Sequence, residues 1–150
     1  MLGIISDTHG LLRPEATQAL EGVEKILHLG DVGKPAVLDH LKQIAPVVVV
    51  RGNVDRGAWG ATLPLVETVE WHEKHLYLLH ILEDLDLDPA AGGFDMVLFG
   101  HSHKPTSYHQ EGVWYLNPGS AGPRRFSLPI TMARLHWEGE IKCEWIELLH

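Results

Sequence analysis

The sequence predicts an α/β fold in which two mixed β-sheets pack together with helices outside them. Two observations predict this class. In the first third of the chain, short apolar runs alternate with helix-like segments over short connections, which is typical of parallel βαβ units. Later, apolar runs come in pairs around short turns, which favours antiparallel hairpins. A length of 150 residues with 45% hydrophobic content predicts one domain, residues 1–150.

Three strands and two helices are expected in the first third. Residues 1–6, 25–29 and 47–51 are apolar or β-branched runs, and each predicts a buried strand. Residues 13–20 predict a helix, with Pro14 near its start and Gly22 after its end. Residues 36–44 predict a second helix, bounded by Pro35 and Pro46.

The remainder is expected to be rich in antiparallel strands. Residues 55–64 predict a loop, and residues 82–91 an acidic segment that is moderately helical. Residues 96–99 form a continuous apolar run, as expected for a strand covered on both faces. Three hairpins are predicted, at residues 65–71 with 75–79, 107–110 with 113–117, and 130–137 with 140–148, and a loop at residues 117–125.

Charge and cysteine content exclude several functional classes. A net charge of −8 argues against nucleic-acid wrapping and against an anionic membrane surface, since both require basic patches. The single cysteine, Cys143, excludes an internal disulfide, suits a reducing cytoplasm, and is interpreted as a strand residue rather than a nucleophile. No signal peptide or run of 18 apolar residues is present, so a cytoplasmic protein without membrane contact is expected. The sequence does not decide between a monomer and a homo-oligomer.

Five of the apolar runs end in side chains that can bind metals, usually behind a glycine. The clearest case is Gly100, which is followed by His101 and His103. In an extended chain, residues two apart point to the same side about 6–7 Å from each other. These imidazoles could therefore reach two ions about 3.5–4 Å apart. The complete set of predicted metal ligands is Asp7, His9, Asp31, Asn53, His80, His101 and His103.

These seven side chains predict one dinuclear metal site. The carboxyl ends of strands in open α/β sheets are where ligands collect. Four imidazoles, two carboxylates and one amide suit Mn²⁺, Fe, Zn²⁺ or Co²⁺ better than Ca²⁺, and they exceed what one ion needs. Taken singly, Asp7 could be a helix N-cap, and Asp31 and Asn53 turn residues. Those alternatives do not explain why five apolar runs each end in a side chain that can bind a metal. The other seven histidines are interpreted as ordinary residues, although His28 could support a ligand from a strand.

In this order, Asp-x-His, Gly-Asp, Gly-Asn, His and Gly-His-x-His resemble the motifs of the calcineurin-like metallophosphoesterases. The resemblance covers nearly the whole chain, and the segment 117–120, Asn-Pro-Gly-Ser, is similar to the small single-domain phosphodiesterases. It implies two divalent ions, with Mn expected and Fe, Zn, Ni or Co as alternatives. It implies that Asp7, His9 and His103 hold one ion, that Asn53, His80 and His101 hold the other, and that Asp31 bridges them together with a hydroxide.

The resemblance also implies hydrolysis of a small phosphodiester substrate, by in-line attack of that hydroxide on phosphorus. Its catalytic residues would be Asp31, Asn53, His80 and His101, with Asn53 also contacting the phosphoryl group. Arg124 and Arg125 follow the Asn-Pro-Gly-Ser segment and are candidates for binding the phosphate, although two solvated loop arginines would fit equally.

Two departures from the family pattern stand out. Val54 occupies the position where many members carry a histidine that protonates the leaving group, which argues against phosphomonoesterase activity, the alternative within the same class. Ile81 follows His80 where glycine is frequent. An alternative from another class is a protein-binding scaffold, because the retromer small subunit resembles this fold with eroded ligand positions. All seven positions carry competent ligands here, which favours an enzyme.

Overall fold

The computed structural model describes residues 1–149, which form two five-stranded sheets and three short α-helices. In chain order the elements are β1 (Leu2–Ile5), α1 (Pro14–Ala19), β2 (Lys25–His28), α2 (Pro35–Lys42), β3 (Val47–Val49), α3 (Gly57–Gly60), β4 (Val66–Trp71), β5 (Lys74–Leu79), a 3₁₀ helix (Leu82–Asp84), β6 (Met96–Leu98), β7 (Thr106–Gln110), β8 (Val113–Asn117), β9 (Ile130–Trp137) and β10 (Ile141–Leu149).

The first sheet has the strand order β10-β9-β1-β2-β3. Strands β1, β2 and β3 are parallel, as the alternating pattern predicted, and the closing hairpin β9-β10 joins them antiparallel through β9 and β1. Alternate side chains of β1 and β2 face opposite ways. Ile5 and Ile26 pack outward against Leu20 at the end of α1 and Leu41 of α2, so the two helices cover this face.

The second sheet has the order β4-β5-β6-β8-β7 and corrects one prediction. Hairpins β4-β5 and β7-β8 are antiparallel, as expected, but β6 lies between β5 and β8 and is parallel to both. The expectation of an antiparallel second half was therefore wrong at the centre of the sheet. Its physical cause is non-local, because the hairpin turns fix only the strands that they join.

The two sheets face each other across the main core. Leu2, Ile4 and Leu27 of the first sheet pack with residues such as Leu98 and Leu116 of the second, all essentially inaccessible to solvent. Burial of one such side chain stabilises the fold by about 1.5–3 kcal/mol. The mixed two-sheet α/β architecture predicted from the sequence is thus confirmed. No helix within residues 1–149 combines the length and apolar character needed to cross a membrane.

The outer face of the second sheet is covered by the segment 82–94, where a moderately helical stretch was predicted. Only the 3₁₀ turn Leu82–Asp84 forms, and Leu85 after it is extended. Asp88 precedes Pro89, and a residue before proline disfavours the α conformation. Leu85 packs over Tyr77 in a third, smaller cluster. A second difference is α3, one helical turn inside the predicted loop 55–64.

Candidate metal centre

All five ligand-bearing loops leave the carboxyl ends of strands β1, β2, β3, β5 and β6. Backbone hydrogen bonds connect these loops directly. The Asp7 N–H donates to Gly30 O at 3.0 Å and the His9 N–H donates to Asp31 O at 2.9 Å. In the second sheet, the Gly100 N–H donates to His80 O at 3.0 Å. The parallel pairing of the strands therefore brings side chains that are distant in sequence to one edge of the two sheets.

Five of the seven predicted ligands have a left-handed backbone. Few non-glycine residues have positive φ, and holding one there costs about 1–3 kcal/mol. Such strain persists where the surroundings fix the conformation, and it concentrates at functional sites. The five residues are Asp7 (φ 56°), His9 (48°), Asp31 (56°), His101 (76°) and His103 (63°).

Two of the glycines are required because the loops lie too close together for a side chain. A Cβ on Gly52 would lie 2.1 Å from both the backbone N and Oδ1 of Asp31. A Cβ on Gly100 would lie 2.2 Å from Ser6 Oγ and 2.8 Å from Asp7 Oδ2. The glycines noted in the sequence thus allow one ligand loop to contact the next.

The first group of candidate ligands is Asp7, His9 and His103. Asp7 and His103 are buried, and His9 is partly buried. Asp7 Oδ1 lies 3.4 Å from His103 Nε2 and 3.7 Å from His9 Nε2, and the two ring nitrogens are 3.2 Å apart. Three ligand atoms therefore converge on one small volume.

The second group is Asp31, His80 and His101, with Asn53 beside it. Asp31 Oδ2 lies 3.2 Å from His80 Nε2. Asn53 Oδ1 lies 3.1 Å from His101 Nδ1, at the exposed side of the group. The two groups adjoin at Asp31, because the same Oδ2 atom is 3.5 Å from His9 Nε2.

The hydrogen bonds of each carboxylate leave one oxygen free for a cation. Asp7 Oδ2 accepts the Ser6 hydroxyl at 2.6 Å and the His101 N–H at 3.2 Å, whereas Asp7 Oδ1 is buried without a hydrogen-bond partner. Asp31 Oδ1 accepts the Val54 N–H at 3.0 Å, and Oδ2 faces the imidazoles. Unpartnered buried oxygens are costly and rare, so this arrangement fits bound cations.

His80 is oriented in the same way. Its Nδ1 lies 2.7 Å from Leu29 O, a distance at which the Nδ1–H donates to the carbonyl. Its Nε2 is buried without a hydrogen-bond partner and faces Asp31. Fixing one nitrogen by a carbonyl so that the other presents its lone pair is the usual arrangement of a metal-binding histidine. The donor set therefore fits divalent transition metals.

The pKa shifts at the centre indicate that its carboxylates favour positive charge nearby. The Asp7 carboxylate raises the pKa of His9 above its usual value, against the effect of burial. Burial acts to lower the pKa of His80, but the Asp31 and Asp7 carboxylates outweigh it and the pKa is raised. Burial likewise acts to raise the pKa of Asp31, yet the neighbouring His80 holds it below its usual value. Two buried carboxylates thus favour cationic neighbours, a role that a divalent ion fills more strongly than a proton.

Asp55 is a supporting residue that sequence reasoning missed. Its buried carboxylate accepts the backbone N–H groups of Val32 at 3.2 Å, Gly33 at 3.0 Å and Gly52 at 2.9 Å. It therefore ties the loop that carries Asp31 to the loop that carries Asn53. The available signal was an aspartate in a short glycine-containing turn, a residue type that binds nearby backbone N–H groups.

His28 supports the neighbouring loops through a chain of hydrogen bonds. Its Nδ1 accepts the Gly30 N–H at 3.1 Å, so the proton of the neutral ring is on Nε2, which lies 3.0 Å from Thr8 Oγ1. The Thr8 hydroxyl in turn donates to Val32 O at 2.9 Å. Burial lowers the pKa of His28 to about 4, consistent with a neutral ring.

The Asn-Pro-Gly-Ser segment connects the ligand loops of both sheets. Asn117 donates from Nδ2 to Gly100 O at 3.0 Å and to Ser102 Oγ at 3.1 Å, within the loop that carries His101 and His103. Ser120 donates from Oγ to Asp7 O at 3.0 Å in the first sheet. This segment therefore fixes the relative position of the two ligand groups.

The remaining candidates lie outside the two groups. Arg124 donates from Nη1 to Leu128 O at 3.1 Å within its own loop. Arg125 is exposed, and its charge adds to burial in lowering the pKa of His103. Burial raises the pKa of Cys143 to about 11, which agrees with a strand residue rather than a nucleophile. His150 lies outside the described residues. Five further histidines, His40, His72, His75, His109 and His136, belong to neither group.

Fold and site together define an α/β protein with two adjoining groups of candidate metal ligands where its two packed sheets meet. Residues 1–140 match the family described as the calcineurin-like phosphoesterase superfamily domain. The chain belongs to this superfamily, as the order of motifs predicted.

Two relatives and one solved structure illustrate the similarity. A probable metallophosphoesterase of Methanothermobacter thermautotrophicus is 36% identical over 155 residues, covering 93% of this chain and 87% of the relative. Phosphodiesterase YfcE of Escherichia coli K12 is 29% identical over 140 residues, covering 77% and 76%. The crystal structure of Chaetomium thermophilum Vps29 superimposes with a TM-score of 0.80 at 18% identity, covering 97% and 94%, a likeness of fold alone.

Proposed function

We propose that this protein is a metal-dependent phosphodiesterase with a dinuclear centre, and that Mn²⁺ is the preferred ion. The observation that carries the proposal is the meeting of two ligand groups at Asp31, with a buried, unpartnered ligand atom in each: Asp7 Oδ1 and His80 Nε2. In this proposal Asp7, His9 and His103 hold one ion. Asn53, His80 and His101 hold the other, and Asp31 is shared.

The chain's own residues account for the rest of the reaction. Divalent ions in such a site supply an activated water and stabilise charge on the phosphoryl oxygens. Asn53 is exposed, and with its Oδ1 beside His101 its amide N–H groups are free to donate to a phosphoryl oxygen. Val54 has no proton to give a leaving group. Diesters with good leaving groups are therefore the expected substrates.

The test is to strip the purified protein of metal and reload it separately with Mn²⁺, Fe²⁺, Co²⁺, Ni²⁺ and Zn²⁺. Bound metal per chain and hydrolysis of bis(p-nitrophenyl) phosphate and p-nitrophenyl phosphate are then measured. We expect two ions per chain, the fastest diester hydrolysis with Mn²⁺, and slower monoester hydrolysis. His40 is an exposed histidine on α2 that lies outside both ligand groups. The control variant His40→Gln should therefore bind the same number of ions and hydrolyse both substrates at the wild-type rate.

The second candidate is a protein-binding scaffold, and the likeness in fold to Vps29 fits it. Metal binding does not separate the two candidates, because a scaffold can retain an ion. Catalysis does separate them. A preparation that binds two ions per chain but leaves the diester intact with every metal would contradict the enzyme and support the scaffold.

A further inference from the structure

A cavity of about 690 Å³ opens beside the second ligand group. Asn53 and His80 form part of its wall, so the cavity is continuous with the proposed reaction site. Its volume lies within the range of small-molecule sites, roughly 300–1,000 Å³. A phosphodiester has two ester arms, and a phosphoryl group at the metal centre would direct one of them toward this space.

One side of the cavity is apolar and open to solvent. Leu65, Val66, Leu79 and Ile81 line it. Leu65 is 62% exposed and Val66 is 40% exposed, although both are large apolar side chains. Contiguous exposed apolar surface that is rimmed by polar groups marks ligand-binding or interaction sites. This wall would be buried by an apolar group of a ligand.

The charged lining consists of two arginines, Arg51 and Arg56, and three aspartates, of which Asp55 is buried and bound to backbone N–H groups. Arg51 donates from Nε to Leu63 O at 3.0 Å, and Arg56 donates from Nε to Asn53 O at 3.4 Å, so both guanidinium groups are tethered by one nitrogen. Asp84 and Asp86 are exposed, line the same cavity, and form no salt bridge with any residue of the range 1–149.

We propose that this cavity binds the second ester arm of the substrate and that this arm is an amine-bearing nucleobase on its sugar. Apolar walls favour an apolar body, and a guanidinium group packs its face against an aromatic ring, which an alkyl arm lacks. Carboxylates accept N–H donors, and three aspartates against two arginines leave the lining net negative, which disfavours an anionic arm such as a second phosphate. The proposal rests on the phosphodiesterase function and narrows its substrate class to nucleotide diesters.

Three diesters with the same p-nitrophenyl leaving group test the proposal on the Mn²⁺-loaded protein. Their second arms are deoxyadenosine, thymidine and methyl. We expect kcat/KM to fall in that order, by roughly 10- to 100-fold from deoxyadenosine to methyl. Asp84→Asn with Asp86→Asn should reduce the deoxyadenosine-to-thymidine ratio several-fold, and Leu65→Ser should reduce both nucleoside-to-methyl ratios. Leu87→Ser is the matched control, since Leu87 is 39% exposed and does not line the cavity.

A binding experiment provides a readout apart from catalysis. Deoxyadenosine added to the metal-free protein should shift the methyl NMR signals of Leu65, Val66 and Leu79 but not those of Leu87. Hydrolysis of all three diesters at equal kcat/KM, without these shifts, would overturn the nucleobase proposal and leave the phosphodiesterase standing. Shifts of the cavity methyls without hydrolysis of any diester would instead contradict the phosphodiesterase and support a nucleoside-binding cavity.

Discussion

The two sheets contribute different chemistry to the ligand groups. Loops of the first sheet supply both carboxylates, Asp7 and Asp31, together with His9 and the amide of Asn53. Loops of the second sheet supply imidazoles alone, at positions 80, 101 and 103. All of the negative charge thus comes from the first sheet, whereas the second sheet contributes imidazoles alone. A cation at this edge would be held by both, so the centre depends on the packing of the sheets.

The two sides also differ in how their loops are held. On the first side, a carboxylate and an imidazole hold the loops, because Asp55 binds three backbone N–H groups and His28 lies between Thr8 and Gly30. On the second side, the amide of Asn117 holds the histidine loop, and an amide does not titrate. The first sheet therefore supplies the negative charge of the centre, and the stability of its loops should depend on pH through His28.

Removing one charge from the first sheet should have the largest effect. Asp31→Asn keeps the shape of the side chain but removes the carboxylate that adjoins both ligand groups. We expect kcat/KM for a diester to fall by roughly 10³-fold and bound metal to fall below two ions per chain, with the fold intact. His101→Gln, in the second sheet, should cost less because both carboxylates remain.

Steady-state kinetics, metal content and circular dichroism of the two variants measure this contrast. Asp39→Asn, on the exposed side of α2, is the matched control for loss of a carboxylate near the first sheet. An Asp31→Asn protein that kept two ions and the wild-type rate would refute the shared role of Asp31.

The second prediction concerns pH and again singles out the first sheet. In the folded protein His28 has a pKa of about 4, against 6.5 for a free imidazole. Between pH 6.5 and pH 4 this imidazole is protonated in the unfolded chain but neutral in the native state. The free energy of unfolding therefore decreases as the pH falls from 6.5 toward 4. The total loss from this residue is about 3 kcal/mol in the free energy of unfolding.

Urea unfolding of the metal-free protein between pH 7 and pH 5 measures this dependence. His28→Asn keeps a hydrogen-bond acceptor near the Gly30 N–H but has no titratable ring. The free energy of unfolding of this variant should be lower than that of the wild type at pH 7 and should change less with pH. His40→Asn should leave the wild-type slope unchanged, since His40 is exposed. Equal slopes for His28→Asn and wild type would show that His28 does not govern acid sensitivity.

Short local patterns in the sequence predicted much of the fold and of the set of candidate ligands. The βαβ order of the first sheet follows from apolar runs and proline-bounded helices such as Pro14–Ala19, which are encoded within a few residues. The predicted ligands stand directly after such runs, so they could be named before their distances were known. The assignment of residues 1–150 to one domain and the roles of the ligands stay predictions.

The features that were missed depend on contacts between distant segments. The parallel position of β6 between β5 and β8 is decided by sheet packing, and no turn in the sequence encodes it. Asp55 binds the N–H groups of Val32 and Gly33, which are 23 and 22 residues away, so these two contacts have no local pattern, unlike its contact with Gly52 three residues away. The left-handed conformations of the ligands likewise arise from loops pressed against one another.

The third prediction concerns Arg124 and Arg125 in the loop that joins the two sheets, residues 118–129. Arg124 donates a hydrogen bond to Leu128 O inside the loop, whereas the positive charge of Arg125 contributes to lowering the pKa of His103. Arg125→Ala should therefore lower kcat/KM for a diester by about 10-fold without changing metal content, as expected when one charged contact to a phosphate is lost. Arg124→Ala is the matched control and should have a smaller effect. Unchanged kinetics in both variants would identify them as solvated loop residues.

The smallest expected effect is at Val54, in the first sheet's third ligand loop. Its backbone N–H holds Asp31 Oδ1 at 3.0 Å, but its side chain is 39% exposed and directs no donor at a substrate. An alkyl monoester needs a proton on its leaving oxygen, and a positioned acid contributes typically about 10²–10⁴-fold. Val54→His keeps the backbone contact and adds a titratable side chain near the centre. Because a solvent-exposed imidazole is poorly positioned, we expect the ratio of monoester to diester kcat/KM to rise by only several-fold, roughly tenfold at most.

Val54→Gln, similar in length but unable to donate an acidic proton, should leave the ratio unchanged. A wild-type protein that already prefers an alkyl monoester to an aryl diester would show that the proton comes from elsewhere and that Val54 does not set the preference.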